Sequence, residues 1–441
     1  MTLPSTTAVA RHYAEFALGL DPAALPPRVI EKARHCLIDA IGCAAHGLTL
    51  PWSQLVLAEA RETGSGGRCS IPGAAGVRLH PPQAALVLGT ASHAFELDSL
   101  RKPGAGVHGG GTVALPALAV GEATAASDDE ILCAIVAGCE TMFRLGAATL
   151  HTPEKIGFHA PGLTGPFGAA IATARLMGLS VDQTANALGI AGSFASGLLA
   201  FAKAGHGGMI KRLHLGRAAE GGVLAARLAA RGFEAPHTVI EGSFGLLDAF
   251  CSDTDPSLLT RGLGRQWELD ALCLKRFACH ITAHAPVEQL RDWIAEHGFT
   301  GDDIARVRVL GSPKLVSHHG NTSPVDLTLA QYSVPFVVAL AAYRDPQDPA
   351  SFSPDTLHDA GIMGLCKRVE VGERDLSSAK GWGVELRVEL RDGRTFEAIR
   401  EDFLGTPDRP FDDDALRAKF MRLTPSLTDA ERGEYLRRFL P

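Results

Sequence analysis

A chain of 441 residues exceeds one ordinary hydrophobic core, and with 46% hydrophobic and 21% charged residues it can fill two units, or one large unit with an insertion. A net charge of −7 and a pI near 6.2 give no electrostatic reason to expect nucleic acid or an acidic membrane surface as a partner. Nine cysteines without a C-x-x-C pair suggest neither a disulfide framework nor a zinc site, and no secretion signal or apolar run of roughly 20 residues is visible, so a cytoplasmic protein is expected.

The first element follows Pro26-Pro27, where Val29, Ala33, Cys36, Leu37, Ala40, Ile41 and Ala44 recur at helical spacing. Two further apolar helices are predicted over Ala84 to Leu97 and Thr112 to Ala125, separated by the polar loop S-L-R-K-P-G-A-G-V-H-G-G-G. That loop contains a literal G-x-G-x-x-G at Gly104, Gly106 and Gly109. A dinucleotide fingerprint needs a strand before it, and here a helical stretch and Arg101-Lys102-Pro103 precede it. Glycines that let His108 reach a ligand are the better reading.

Glu130 to Thr149 is predicted as another helix, and G-F-H-A-P-G-L-T-G-P-F-G places His159 just ahead of an alanine-rich one. Ser180 with Gln183 makes a capping box for the next, whose small residues suit close packing. In H-G-G-M-I-K-R-L-H-L-G-R, from His206 to Arg217, the residues Lys211, His214 and Arg217 recur every third position and can share a helix face. A basic surface stripe is the alternative, but Met209, Ile210 and Leu213 make the surroundings apolar, and the run Gly216 to Ala230 is expected to be buried.

The densest polar stretch is C-L-K-R-F-A-C-H-I-T-A-H, Cys273 to His284. A loop entering a helix could aim Lys275 and His280 at one cavity, with His284 a turn beyond His280. The plainer alternative is a solvated cation pair and two helix histidines. A metal pair at His280 and His284 lacks the H-E-x-x-H glutamate and a specified third ligand. After about Leu263 alternating runs appear at Ile304 to Leu310, Lys367 to Val371 and Val384 to Leu390, the last meeting Thr395 to Ile399 across Arg391-Asp392-Gly393-Arg394, a hairpin signal. From Pro410 onward the spacing is helical again.

The expected organisation is therefore mainly α: a helical domain over 1–264, an inserted α+β unit over 265–400, and a return to the helical domain over 401–441. A cleft between the units could collect four polar knots: Glu96 to His108, His159, Lys211 to Arg217, and Lys275 to His284. Lysines suit holding a substrate carboxylate, and imidazoles suit moving a proton at a neighbouring carbon.

The stretches G-F-H-A-P-G-L-T-G-P-F-G-A-A, G-G-M-I-K-R-L-H-L-G-R-A-A, L-K-R-F-A-C-H-I-T-A-H and L-G-T-P-D-R-P-F-D-D-D-A-L-R-A-K-F, in that order along the chain, resemble the MmgE/PrpD family. The resemblance implies a helical domain made from both chain ends, an α+β lid, a homodimer, and no metal or organic cofactor. It implies a lyase, dehydrating or decarboxylating a small di- or tricarboxylate, with epimerisation or non-catalytic carboxylate binding as alternatives. Carried onto this chain, the site comprises His108, His159, Lys211, Lys275 and His280, with Glu96, Arg101, Lys102 and His214 expected to contact substrate. The chain departs from the family pattern H-x-x-D-x-D-D-T, reading His93-Ala94-Phe95-Glu96-Leu97-Asp98-Ser99-Leu100, and a family tyrosine falls near Leu315. Arg101 and Lys102 could add cations at the mouth and His318 and His319 follow closely, but only turnover of cis-aconitate would mean that these had taken over the lost contacts. These departures lead to the expectation that cis-aconitate is not the physiological substrate.

Overall fold

The computed structural model describes residues 8–103, 107–204, 208–376 and 382–441. Gly104, Gly106 and His206, singled out in the sequence, lie outside the described residues.

The chain is mainly α-helical, and its helical body is held together by small residues. In helix Ile210–Ala229, a Cβ added at Gly216 would lie 2.1 Å from Thr90 Oγ1 and 2.4 Å from Leu86 O. One added at Gly222 would meet Ala169 Cβ and Pro166 O at 2.4 Å. The glycines thus set how closely this helix crosses Pro81–Ser92 and Ala160–Leu176. Its outer face is not wholly buried as expected, since Arg217 and Leu224 are exposed. Helix Asp128–Ala148 starts on a full capping box from Ser127 and Glu130. It corrects the expectation that no stretch is of membrane-spanning length: by length and apolarity it qualifies, but 94% of its apolar window is buried inside the fold, as in a core helix. Ser180 and Gln183 form the expected capping box on Val181–Ser193.

The second half has its own sheet, in which strand Ile304–Gly311 pairs in parallel with Val369–Glu373 and antiparallel with Val384–Leu390. Thr395–Arg400 completes the sheet through the expected hairpin at Asp392-Gly393, where Gly393 takes a φ of 94°. Helices His284–His297 and Val334–Tyr343 cover it. Their apolar side chains form one cluster with Ile304, Val307, Leu386 and Val388, and that cluster includes Phe95, Leu97 and Leu100 from the first half. Helix Asp413–Leu423 then returns to pack on Pro27–Gly47. There Lys419 pairs with buried Asp39 and donates to Leu97 O at 2.9 Å. The stretch 95–100 is therefore pinned from both sides.

Candidate functional site

The site is built on that pinned stretch. Helix Pro81–Ser92 stops five residues short of the expected Leu97, because Glu96 takes a left-handed φ of 58° that no helix continues. Gln331 fixes the bend, donating to Phe95 O and Ala278 O, each at 3.0 Å, while His280 N donates to Gln331 O at 2.8 Å. One side chain thus ties the Glu96 bend to the Lys275–His280 loop.

The floor is a buried ion triad. Glu96 receives Lys211 Nζ on one carboxylate oxygen and Lys275 Nζ, at 3.3 Å, on the other. Burial alone would raise the Glu96 pKa, but the two ammonium groups outweigh it and hold the carboxylate well below its ordinary value. Burial lowers Lys211 to about 8 despite Glu96, with Arg212 and Lys275 adding to the fall. Lys275 goes the other way, since Glu96 and Asp98 together overcome its burial. The lysines expected to hold substrate are thus already held by Glu96, which is an internal partner and not a free substrate contact.

One wall is a histidine row centred on Asp98. Its Oδ2 lies 2.9 Å from His93 Nδ1 and 2.8 Å from His108 Nδ1, and His108 Nδ1 also faces Ser99 O at 3.0 Å. Each Nδ1 meets only acceptors, so each carries the proton and leaves a lone pair on Nε2. Burial opposes ionisation of Asp98, but the two imidazoles prevail and its pKa is held down; burial drives His93 to about 3. Beyond His93 sits His159, whose Nδ1 is 3.0 Å from His214 Nδ1, with Phe201 edge-on to both rings. Burial and then Lys211 push His159 well below its usual range, and His214 down as well.

The facing wall comes from the second half. His280 caps the short turn Ile281–Ala283, its Nδ1 accepting from Thr282 N at 3.4 Å and lying 3.0 Å from Thr282 Oγ1, a hydroxyl able to donate to the same nitrogen, and we assign the proton of the neutral ring to Nε2 on that basis. Its ring stacks on His319 at 4.0 Å and lies 5.1 Å from Tyr332, over whose ring Lys211 Nζ sits at 4.9 Å. Burial lowers both histidines, His319 to about 4.

Of the residues singled out in the sequence, His108, His159, Lys211, His214, Lys275, His280 and Glu96 come together here. Arg101 and Lys102 do not, which corrects the expectation of cations at the mouth. Leu100–Arg101 pairs with Leu272–Cys273, and from there Arg101 turns to Glu268 at 2.7 Å while Lys102 is buried against Asp402 at 3.1 Å, Trp382 and Phe403. Exposed Arg217 pairs with half-buried Glu220 on the outer face of its helix. His284 is buried between Phe277 and Phe403 and accepts from Phe277 N, so it packs the core and forms no metal pair with His280. Leu315 is likewise core, and Tyr332 brings a phenol to the site instead.

His93, Asp98 and Tyr332 were not among the predicted site residues, and His319 was raised only as a candidate substitute for the lost hydroxyls. The first two carried a local signal, a histidine and an acid flanking the Glu96 bend; the others arrive only through tertiary packing. His93, Asp98 and His108 bring one potential ligand atom each to within 4.8 Å of one another, but hydrogen bonds to one carboxylate oxygen already account for that geometry.

Models of the MmgE/PrpD N-terminal domain and MmgE/PrpD C-terminal domain match residues 11–259 and 277–438. The chain is 30% identical to cis-aconitate decarboxylase-like protein oryM of Aspergillus oryzae, covering 94% of this chain and 90% of that protein. It is 29% identical to cis-aconitate decarboxylase of Aspergillus terreus, over 92% of this chain and 87% of that one. To human cis-aconitate decarboxylase it is 28% identical, with 91% and 85% covered.

Proposed function

Because the chain belongs to the MmgE/PrpD family and its relatives are named for a lyase activity, we propose that it is a lyase that removes water or carbon dioxide from a small di- or tricarboxylate. The observation that carries the reading is the pairing of two buried ammonium groups with imidazoles of opposite tautomer, a lone pair on His108 Nε2 and an N–H on His280 Nε2. Lys211 and Lys275 hold the substrate carboxylate, each charge-assisted contact contributing about 1.5–3 kcal/mol. His108 takes the proton from the carbon beside the carboxylate, and Asp98 stabilises the imidazolium that forms. In dehydration His280 gives its proton to the departing hydroxyl; in decarboxylation His108 takes no proton, the electron pair of the broken carbon–carboxylate bond stays on carbon, and His280 protonates that carbanion. His159 and His214 close the wall beside His108. The reading extends to a homodimer in the cytoplasm, needing no cofactor, with residues 265–400 closing over the helical body.

The test is an NMR screen of di- and tricarboxylic acids without added metal, using Lys275→Ala as the blank. Loss of water or carbon dioxide from at least one acid by the wild type alone is expected. Solvent deuterium entering recovered substrate with no loss would mean epimerisation, and binding without either would mean a non-catalytic relative.

A further inference from the structure

The mechanism above gives no step to His93 or His319, and of the two it is His319 that lies against the proton-returning His280. His319 is 2% exposed, and its Nδ1 lies 3.0 Å from Tyr332 O, an acceptor, so the proton sits on Nδ1 and the lone pair on Nε2. That Nε2 is buried and has no hydrogen-bond partner among the described residues. A buried acceptor without a donor carries a desolvation cost that native proteins ordinarily avoid. Stacking at 4.0 Å, with ring planes 24° apart, keeps His319 within one ring thickness of His280, and the Glu96 carboxylate acts electrostatically on both rings. The unpaired lone pair therefore belongs to the same site as the lysines.

We propose that His319 is a specificity-determining residue whose Nε2 accepts a hydrogen bond from a hydroxyl group of the substrate, so that the site selects hydroxy acids over the same acids without the hydroxyl. This rests on the reading that the site binds carboxylates, and adds to it a requirement for one donor. A neutral carboxylate-free alcohol lacks the charge that Lys211 and Lys275 hold, and a deoxy acid leaves His319 unpaired. His280 presents N–H beside it, so a hydroxyl in this position can donate to His319 and accept from His280 in the same complex.

The experiment measures binding of two matched pairs, malate against succinate and citrate against tricarballylate, by calorimetry to the wild type, His319→Phe, His319→Gln and Lys275→Ala. The wild type should prefer the hydroxylated member of at least one pair by about ten-fold or more, since a site built to hydrogen-bond a hydroxyl discriminates strongly against its absence. His319→Phe should bring that preference to within about two-fold, and His319→Gln, whose amide oxygen accepts, should keep part of it. Equal binding within both pairs, with both abolished by Lys275→Ala, overturns the role of His319 while leaving the carboxylate site standing. A preference that survives His319→Phe does the same. No binding of any of the acids to the wild type overturns both readings. If His319→Phe does not fold, His319→Gln decides: a reduced preference supports the assignment and an unchanged one overturns it.

Discussion

Glu96→Gln separates the charge of the ion triad from its shape. The amide fills the same space and keeps the left-handed bend, but Lys211 and Lys275 lose the carboxylate they share at the centre of the fold. Breaking a buried pair by removing one partner costs about 3–5 kcal/mol. An independent ceiling comes from the alternative of discharging Lys211: a lysine that ordinarily titrates at 10.5 releases its proton at pH 7 for about 5 kcal/mol. The two agree, so the variant should lose roughly 3–5 kcal/mol and melt roughly 3–5 °C lower at pH 7. The pH dependence checks the cause. With its folded pKa lowered further, the variant's Lys211 is already neutral at pH 7, whereas in the wild type it keeps its proton up to about 8. Raising the pH from 7 to 8 therefore favours the folded variant over the folded wild type by about 1 kcal/mol, and the gap becomes constant only well above pH 8, once the wild-type Lys211 has also lost its proton. Acetate, supplying the missing carboxylate, should raise the variant's melting temperature and leave the wild type's unchanged. The measurement is thermal unfolding at pH 7, 8 and 9 with and without acetate. A variant as stable as the wild type at pH 7 would falsify the picture of two charged lysines held by one buried acid.

Five other outcomes are expected. Lys275→Ala and His280→Ala still fold but lose turnover, the histidine variant by roughly 10²–10⁴ in kcat; near-wild-type rates in either would mean the site lies elsewhere. Substrate affinity falls as pH rises through about 8, where Lys211 gives up its proton, and a KM flat to pH 9.5 would contradict that. Stability falls as pH drops below 6.5, because His93, His159, His280 and His319 are held neutral in the fold while the unfolded chain binds protons; denaturant titrations showing no loss until the carboxylate range would refute it. Arg101→Ala leaves kcat/KM within about two-fold, since Arg101 serves Glu268, and a large kinetic defect would put it in the site; cis-aconitate is expected to be a poor substrate, and its turnover with saturation at low concentration would refute that.

How much of this was legible in the sequence depends on how local each feature is. Lys275 and His280 could be paired from spacing alone because five residues of loop and cap connect them, and the hairpin at Asp392-Gly393 announced itself through its turn chemistry. The histidine row was half legible: His108 and His159 stood beside glycine-rich breaks, but Asp98, which fixes the tautomers of His93 and His108, looked like one more polar residue. The Glu96 bend gave no signal, since a glutamate at φ 58° is paid for by Lys211, Lys275 and the packing of Phe95 and Leu97 and not by its own propensity. Arg101 and Lys102 misled because a cluster of cations in a loop does not say which way the backbone turns; pairing with Leu272–Cys273 decided it. His319 and Tyr332 reach the site from a different helix each, through contacts that no spacing encodes.

The charges around the site balance before any ligand enters. Lys211 and Lys275 face Glu96 and Asp98, Arg212 turns away to Thr328 and the Trp52 ring, and His93, His159, His280 and His319 are all driven toward the neutral form by burial. Lys314, which also acts on His280 and His319, is paired with Glu154 at 4.0 Å, so among the described residues each carboxylate beyond what Lys211 and Lys275 can share with Glu96 calls for a proton on an imidazole. Protonating the wall costs the lone pairs on which proton abstraction depends. The arrangement therefore favours a substrate with few carboxylates and a neutral polar group, for which the stacked His280 and His319 already offer one donor and one acceptor. A tricarboxylate without a hydroxyl fits this balance worst, because it brings the most charge to compensate and nothing to satisfy His319.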